Sequence, residues 1–207
     1  MEQNNIIHEQ ERLIELSLAP KNYDGAENTS FTPQQVKASS LKDVFTSNNY
    51  SQIIWATGYR LKENFRGAKG FCLDIDGGMK ISEAEDILRA QDLNYVLITT
   101  RSHSESNPRF RIFVPFTHNI HSLLRYQAAA HKLDELFGGK CDPAVFDGAR
   151  FLFGSPADAY YSDCWTGHDF DVSGIKCHLF KGCIEEIFVQ GKMFGQSSYE
   201  FLECIGR

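Results

Sequence analysis

Residues 69–115 read KGFCLDIDGGMKISEAEDILRAQDLNYVLITTRSHSESNPRFRIFVP, and the order of elements in this stretch decides the fold. In Phe71-Cys72-Leu73-Asp74-Ile75-Asp76 the side chains alternate as on a strand, so Phe71, Leu73 and Ile75 share one face and Cys72, Asp74 and Asp76 the other. Two carboxylates that close on a rigid element repel each other unless a cation bridges them or one keeps its proton. A divalent metal is the expected resolution. Gly77-Gly78 then breaks the strand, and Ser82-Glu83-Ala84-Glu85 reads as a capping box opening a helix with Ala84, Ile87, Leu88 and Leu93 inward. Residues 94–100 (NYVLITT) form an apolar strand, residues 101–108 a polar loop, and residues 109–115 a further strand.

Working outward, a long apolar-faced helix is expected from Asn119 or a neighbour through Phe137, stopped by Gly138-Gly139, with residues 150–153 as the last core strand. The order βαββαβ is the split βαβ arrangement of ferredoxin-like, RRM-like α+β folds, in which the first and third strands lie side by side at the sheet centre. Strand parity agrees. Phe110, Ile112 and Val114 share a face, as Phe71, Leu73 and Ile75 do, so both apolar sets can meet the helices. Asp74, Asp76, Arg109 and Arg111 then fall together on the opposite, open face, a combination suited to metal-bound phosphate.

Upstream, residues 6–18 are expected to form a short amphipathic helix, residues 19–30 a loop, and Thr32-Pro33-Gln34-Gln35 the capped start of a helix to Phe45. Residues 1–50 thus make a small N-terminal lobe, Asn48 to Ser51 a turn, and residues 52–56 a short strand pairing near Gly70. Residues 51–180 are expected to hold the RRM-like core. Downstream, residues 157–172 suggest a hairpin through Thr166-Gly167, followed by a strand at 176–180 and a C-terminal helical segment within 181–207. No repeat, low-complexity tract or long linker divides the 207 residues, so a single domain is expected.

The net charge of −6 argues against a broad basic face for duplex nucleic acid. Locally, Arg60, Lys62, Arg66 and Lys69, and then Arg101, Arg109 and Arg111, make two positive segments flanking the acids; solvated loop charge and phosphate contact both remain open. No apolar run approaches the ~20 residues of a membrane helix, and MEQNNIIHEQERL has no signal-peptide organisation, so no membrane and a cytoplasmic location are expected. The six cysteines contain no CxxC pair and are expected to be reduced thiols. Cys164, His168, Cys177 and Cys183 do not follow a standard zinc spacing, so zinc is not expected.

These residues resemble the archaeo-eukaryotic primase superfamily, the primase-polymerases, in the form found in phage and plasmid members. LDID (Asp74, Asp76) is similar to that family's acidic pair on the first core strand. TTRSHSESNPRFRIFVP (Ser102, His103, Arg109, Arg111) is similar to its Ser-His element, and CDPAVFDGARFLFGSP (Asp142, Arg150) to its later acid and arginine strand. The match covers about residues 69–156. Many members carry the histidine on the strand itself, where this chain has Arg111, and Asp147 competes with Asp142 for the third acid.

The resemblance implies a DNA primase or polymerase, with two Mg²⁺ or Mn²⁺ ions on Asp74, Asp76 and Asp142 and the triphosphate of an NTP or dNTP on Ser102, His103, Arg109, Arg111 and Arg150. Single-stranded template and primer would run along Arg60, Lys62, Arg66 and Lys69, with a helicase on the same or another chain as a possible partner. Two other readings stand beside it. FCLDIDGG followed by VLITT also resembles a HAD-like phosphohydrolase, with Asp74 as nucleophile and Asp76 as acid/base, although that family runs on a parallel sheet and needs a GDxxxD motif absent here. A non-catalytic RRM-like module would carry aromatics, not paired acids, on its central strands.

Overall fold

The computed structural model describes residues 12–23 and 29–175. It contains two antiparallel sheets on one hydrophobic core. The N-terminal sheet is built from β1 (Leu13–Pro20), β2 (Thr32–Lys37) and β3 (Asn48–Ser51) in the order β2-β1-β3, with helix α1 (Leu41–Ser47) leading into β3. The main sheet contains β4 (Ile53–Trp55), β5 (Phe65–Ile75), β6 (Tyr95–Thr99), β7 (Phe110–Ile120) and β8 (Tyr161–Cys164). Its order is β4-β5-β7-β6-β8, and all four pairings are antiparallel. Helix α2 (Ile81–Ala90) joins β5 to β6, and α3 (Leu123–Leu136) follows β7.

The expected α+β class and the βαββα core order are both present. The acid strand β5 and the arginine strand β7 are central neighbours with Leu73 opposite Ile112 and Asp74 opposite Arg111. The apolar face of β5 meets α3 and the segment after it: the Phe71 ring lies 5.7 Å from Tyr126 and 5.6 Å from Phe146. Helix α3 ends where Gly138 and Gly139 take positive φ, as the glycine pair implies.

The other face of the main sheet is not open. The N-terminal sheet and α1 cover much of it: Phe45 stacks on Tyr50 at 4.2 Å and meets Phe113 of β7 at 6.5 Å. Cys72 and Phe113, on the same face as Asp74, are buried. Covering that face is the work of segments that were expected to be helix or turn. Residues 13–18 form a strand because Ile14, Leu16 and Leu18 are buried with period two. Thr32–Lys37 is also a strand, and Pro33 is tolerated there because β2 is an edge. The helix starts only at Leu41. Residues 48–51 are β3, whose Tyr50 exchanges backbone hydrogen bonds with Leu152 at 2.8 and 2.9 Å.

Other boundaries move as well. Helix α2 begins at Ile81, because the Glu83 carboxylate accepts from the Lys80 amide and shifts the capping box upstream. Strand β7 runs on to Ile120, so α3 starts after Ser122. Residues 150–153 contribute only a bridge to Tyr50; the edge of β5 is taken instead by β4 and, further along, by Cys141 opposite Ile75. The hairpin expected over 157–172 is a single edge strand, β8 on β6, after which His168 and Phe170 bridge Leu93 and Phe116. The strand and helix expected beyond residue 175, and residues 6–11, lie outside the described residues. No helix among the described residues is long and apolar enough to cross a membrane.

Gly70 of β5 lies tightly against β7. A Cβ there would stand 2.6 Å from the Phe113 ring and 2.9 Å from the Val114 carbonyl oxygen, and the latter is backbone. Gly70→Ala should therefore cost about 1–3 kcal/mol in urea unfolding through overpacking. An unchanged midpoint would mean the two central strands are not held in this register.

Candidate active site

At the carboxyl end of β5 three acids meet three arginines. Asp74 and Arg111 are register partners on the buried face, with Nε of Arg111 donating to Oδ1 of Asp74 at 3.3 Å. One step further out, Arg109 pairs with Asp76 at 3.6 Å. The third pair, Arg150 with Asp142 at 3.6 Å, comes from the segment after α3. That segment is fixed to β5 by the backbone: the Asp142 amide donates to the Asp74 carbonyl at 2.8 Å, and the Asp74 amide points to the Cys141 sulfur at 3.3 Å. Asp134, buried at the end of α3, receives the Cys141 amide at 3.0 Å and so helps to set Asp142 beside the strand.

Burial separates the pairs. The Asp74 and Arg111 side chains are 8% and 10% exposed, whereas Asp76 and Arg109 are 52% and 34% exposed. Arg111 also donates Nη1 to the Phe153 carbonyl, and its charge lies among Tyr50, Asp74 and Cys72. The Tyr50 hydroxyl is near enough to feel that charge but has no well-aligned hydrogen-bond partner. Burial pushes the Cys72 thiol up to about 12 and raises Cys141 too, so both are neutral and unreactive at ordinary pH. Asp74 is raised chiefly by burial, with Arg111 opposing and Asp76 adding to the rise; Arg150 also acts on it in the lowering direction.

Gly77, at φ 121°, and Gly78, at φ 74°, turn the chain away directly after Asp76 and leave its carboxylate at the mouth of a cleft. The cleft is lined by Tyr23, Asp74, Asp76, Thr100, Arg101, Ser102, Arg111, Phe153 and Gly154. His103 follows Ser102 of this lining. Its Nδ1 accepts from the Arg109 amide at 3.2 Å, which leaves the ring proton of the neutral form on Nε2. Tyr23 and Thr100 belong to the lining although neither was a candidate, and Arg101, named only among the positive residues flanking the acids, joins them; Tyr23 lies in a stretch that reads only as loop.

The third acid position is divided. Asp142 caps the turn Pro143–Phe146 by accepting from the Ala144 amide at 3.0 Å, while Asp147 accepts from the Ala149 amide and pairs with Lys62 at 3.2 Å. Asp142 alone of the two is bonded through its backbone to Asp74. In this arrangement Arg150 and the Ala144 amide occupy Asp142, and among the described residues no three His, Cys, Asp or Glu side chains stand together as a metal cage. The expected three-acid cage is thus not assembled. Asp74 and Asp76 still fit a divalent cation, as two hard oxygen donors lining one cleft.

In the expected template track, Arg60 donates to the Ala149 carbonyl at 2.9 Å and lies over the Phe151 ring, so with Lys62 it braces the 147–151 loop. Arg66 and Lys69 are exposed on β5. Of the zinc candidates, Cys177 and Cys183 lie outside the described residues, and His168 Nδ1 faces the Asp169 carbonyl at 3.1 Å.

No family model matches this chain, and no curated protein matches it. Among solved structures it is similar to the AEP domain of the cyanophage S-2L primase-polymerase, with 10% identity and a TM-score of 0.46 over 78% of this chain and 87% of that one. So remote a likeness carries nothing about chemistry, which rests on the residues described above.

The buried pair has a pH signature. Because burial raises the Asp74 pKa above its unfolded value of about 3.9, the folded state holds a proton that the unfolded chain has already lost. Stability is fully present below the unfolded pKa and is lost as pH rises through the folded one. Arg111→Met leaves the Asp74 carboxylate buried without its cation and should cost about 3–5 kcal/mol at pH 8 but much less at pH 4, read by urea unfolding at both. Equal losses at the two pH values would assign the effect to packing instead.

Proposed function

We propose that this protein is a metal-dependent nucleotidyltransferase of the primase-polymerase kind, extending or starting chains on single-stranded template from NTPs or dNTPs. The observation that carries the reading is the meeting of three acid–arginine pairs at one strand end. Such a set can exchange partners: the carboxylates turn to a divalent cation and the freed guanidinium groups take phosphate oxygens.

The exposure gradient divides the labour. Asp74 and Arg111 are buried and mutually bonded, so Asp74 is a fixed oxygen donor and Arg111 its support at the cleft floor. Arg109 and Arg150 are a third or more exposed, hold their acids only at 3.6 Å, and each has a buried Nε without a hydrogen-bond partner. These two arginines are the phosphate ligands of the proposal. Release of Arg150 to phosphate would free Asp142 to join Asp74 and Asp76. Ser102, at the cleft wall, and the Nε2 proton of His103 are further donors to the triphosphate. Mg²⁺ or Mn²⁺ held there would lower the pKa of an attacking 3′-hydroxyl and neutralise the leaving pyrophosphate.

The phosphohydrolase alternative needs a parallel sheet around its nucleophile strand. Here β5 is antiparallel to both neighbours. A base-stacking RRM-like module needs an open central face, and this face is covered by the N-terminal sheet.

Primer extension with ribo- and deoxynucleotides in Mg²⁺ and Mn²⁺ tests the reading. Asp74→Asn and Asp76→Asn are each expected to abolish incorporation while the folded protein is retained; extension at the wild-type rate by either variant would end it. Arg109→Ala and Arg150→Ala are expected to raise the KM for incoming nucleotide about tenfold to a hundredfold, the worth of a charge-assisted hydrogen bond of ~1.5–3 kcal/mol. A loss of DNA affinity with KM unchanged would move these arginines to the template track.

A further inference from the structure

Tyr23 stands in the cleft beside the acids, and no step of the proposed reaction uses it. Tyr23 is 42% exposed although it lines the cleft. Phe153 supports it at 6.1 Å between ring centres, and Lys21, fixed by bonds to the Thr46 and Ser155 carbonyls, lies 5.7 Å from it. The Arg101 guanidinium lies over the ring at 4.4 Å. Arg101 is exposed and, among the described residues, has no carboxylate or carbonyl within bonding distance. A planar cation with no other anchor among the described residues therefore rests on an exposed aromatic ring at the wall of a cleft that Asp74 and Asp76 also line.

We infer that the Tyr23 ring is the stacking platform for the nucleobase of the nucleotide bound in this cleft, and that Arg101 holds the place of the base until the nucleotide enters. The inference rests on the nucleotidyltransferase reading and specifies which part of the nucleotide the cleft recognises besides phosphate. A base and a guanidinium are both flat and both stack on aromatic faces, so one replaces the other without moving the ring. On displacement, Arg101 is one residue from Ser102 on the same wall and swings toward the triphosphate. Stacking on a π-face tolerates any base, which suits an enzyme that takes all four from a template.

The test compares dATP with 2-deoxyribose 5-triphosphate, which has the sugar and triphosphate but no base, in equilibrium binding with Mn²⁺ present. For Tyr23→Ala, dATP affinity should fall about tenfold to a hundredfold while the base-free triphosphate binds as it does to wild type. Tyr23→Phe keeps the ring and should bind both as wild type does, which also shows that the phenol hydroxyl is dispensable. If Tyr23→Ala binds dATP normally, or weakens both ligands equally, the platform is overturned while the phosphate site stands. If wild type binds neither ligand, the nucleotidyltransferase reading falls and this inference with it.

Discussion

A buried ion pair between β5 and β7, near the end of their pairing, sets the conditions for everything around it. Asp74 and Arg111 face each other across β5 and β7 and are nearly withdrawn from water. Either charge alone would be expensive there, since breaking such a pair leaves an uncompensated ion in a poorly polarisable interior. The two strands must therefore stay in register, the Phe153 carbonyl must remain within reach of the guanidinium, and the N-terminal sheet must close over the face that carries them. The lobe built from β1, β2, α1 and β3 thus completes the electrostatic environment of the core.

The same pair orders the charges outside it. From the interior outward, Arg111, Arg109 and Arg150 each answer one acid, and the hold weakens from a 3.3 Å hydrogen bond to 3.6 Å contacts with rising exposure. Water screens the outer pairs, so exchanging a carboxylate for another anion there costs little. The inner pair is the fixed reference. A site arranged this way gives each acid a cationic partner and can still release its outer arginines, which is the property the proposed chemistry needs.

The residues around the cleft come from five separate parts of the chain: Tyr23 after β1, the acids at the end of β5, Thr100 to Ser102 after β6, Arg111 on β7, and Phe153-Gly154 beyond α3. Loops supply the variable wall and a strand end supplies the charged floor. A rigid sheet thereby places carboxylates to within a fraction of an ångström, while the surrounding loops decide what is recognised.

The sequence by itself determined the core order, the central pairing of β5 with β7, and the common face of Asp74, Asp76, Arg109 and Arg111, because period-two alternation assigns a side for each residue before any partner is known. The N-terminal lobe was not legible in that way. Residues 13–18 and 32–37 carry patterns that suit a helix or a strand, and pairing in the sheet β2-β1-β3 made strands of them. Tertiary structure alone decided that the acid-bearing face is covered, that each acid is matched to one arginine, and that Tyr23 stands in the cleft. Burial and long-range pairing depend on which segments meet, and no local periodicity records that for a tyrosine in a loop fifty residues from the acids it faces.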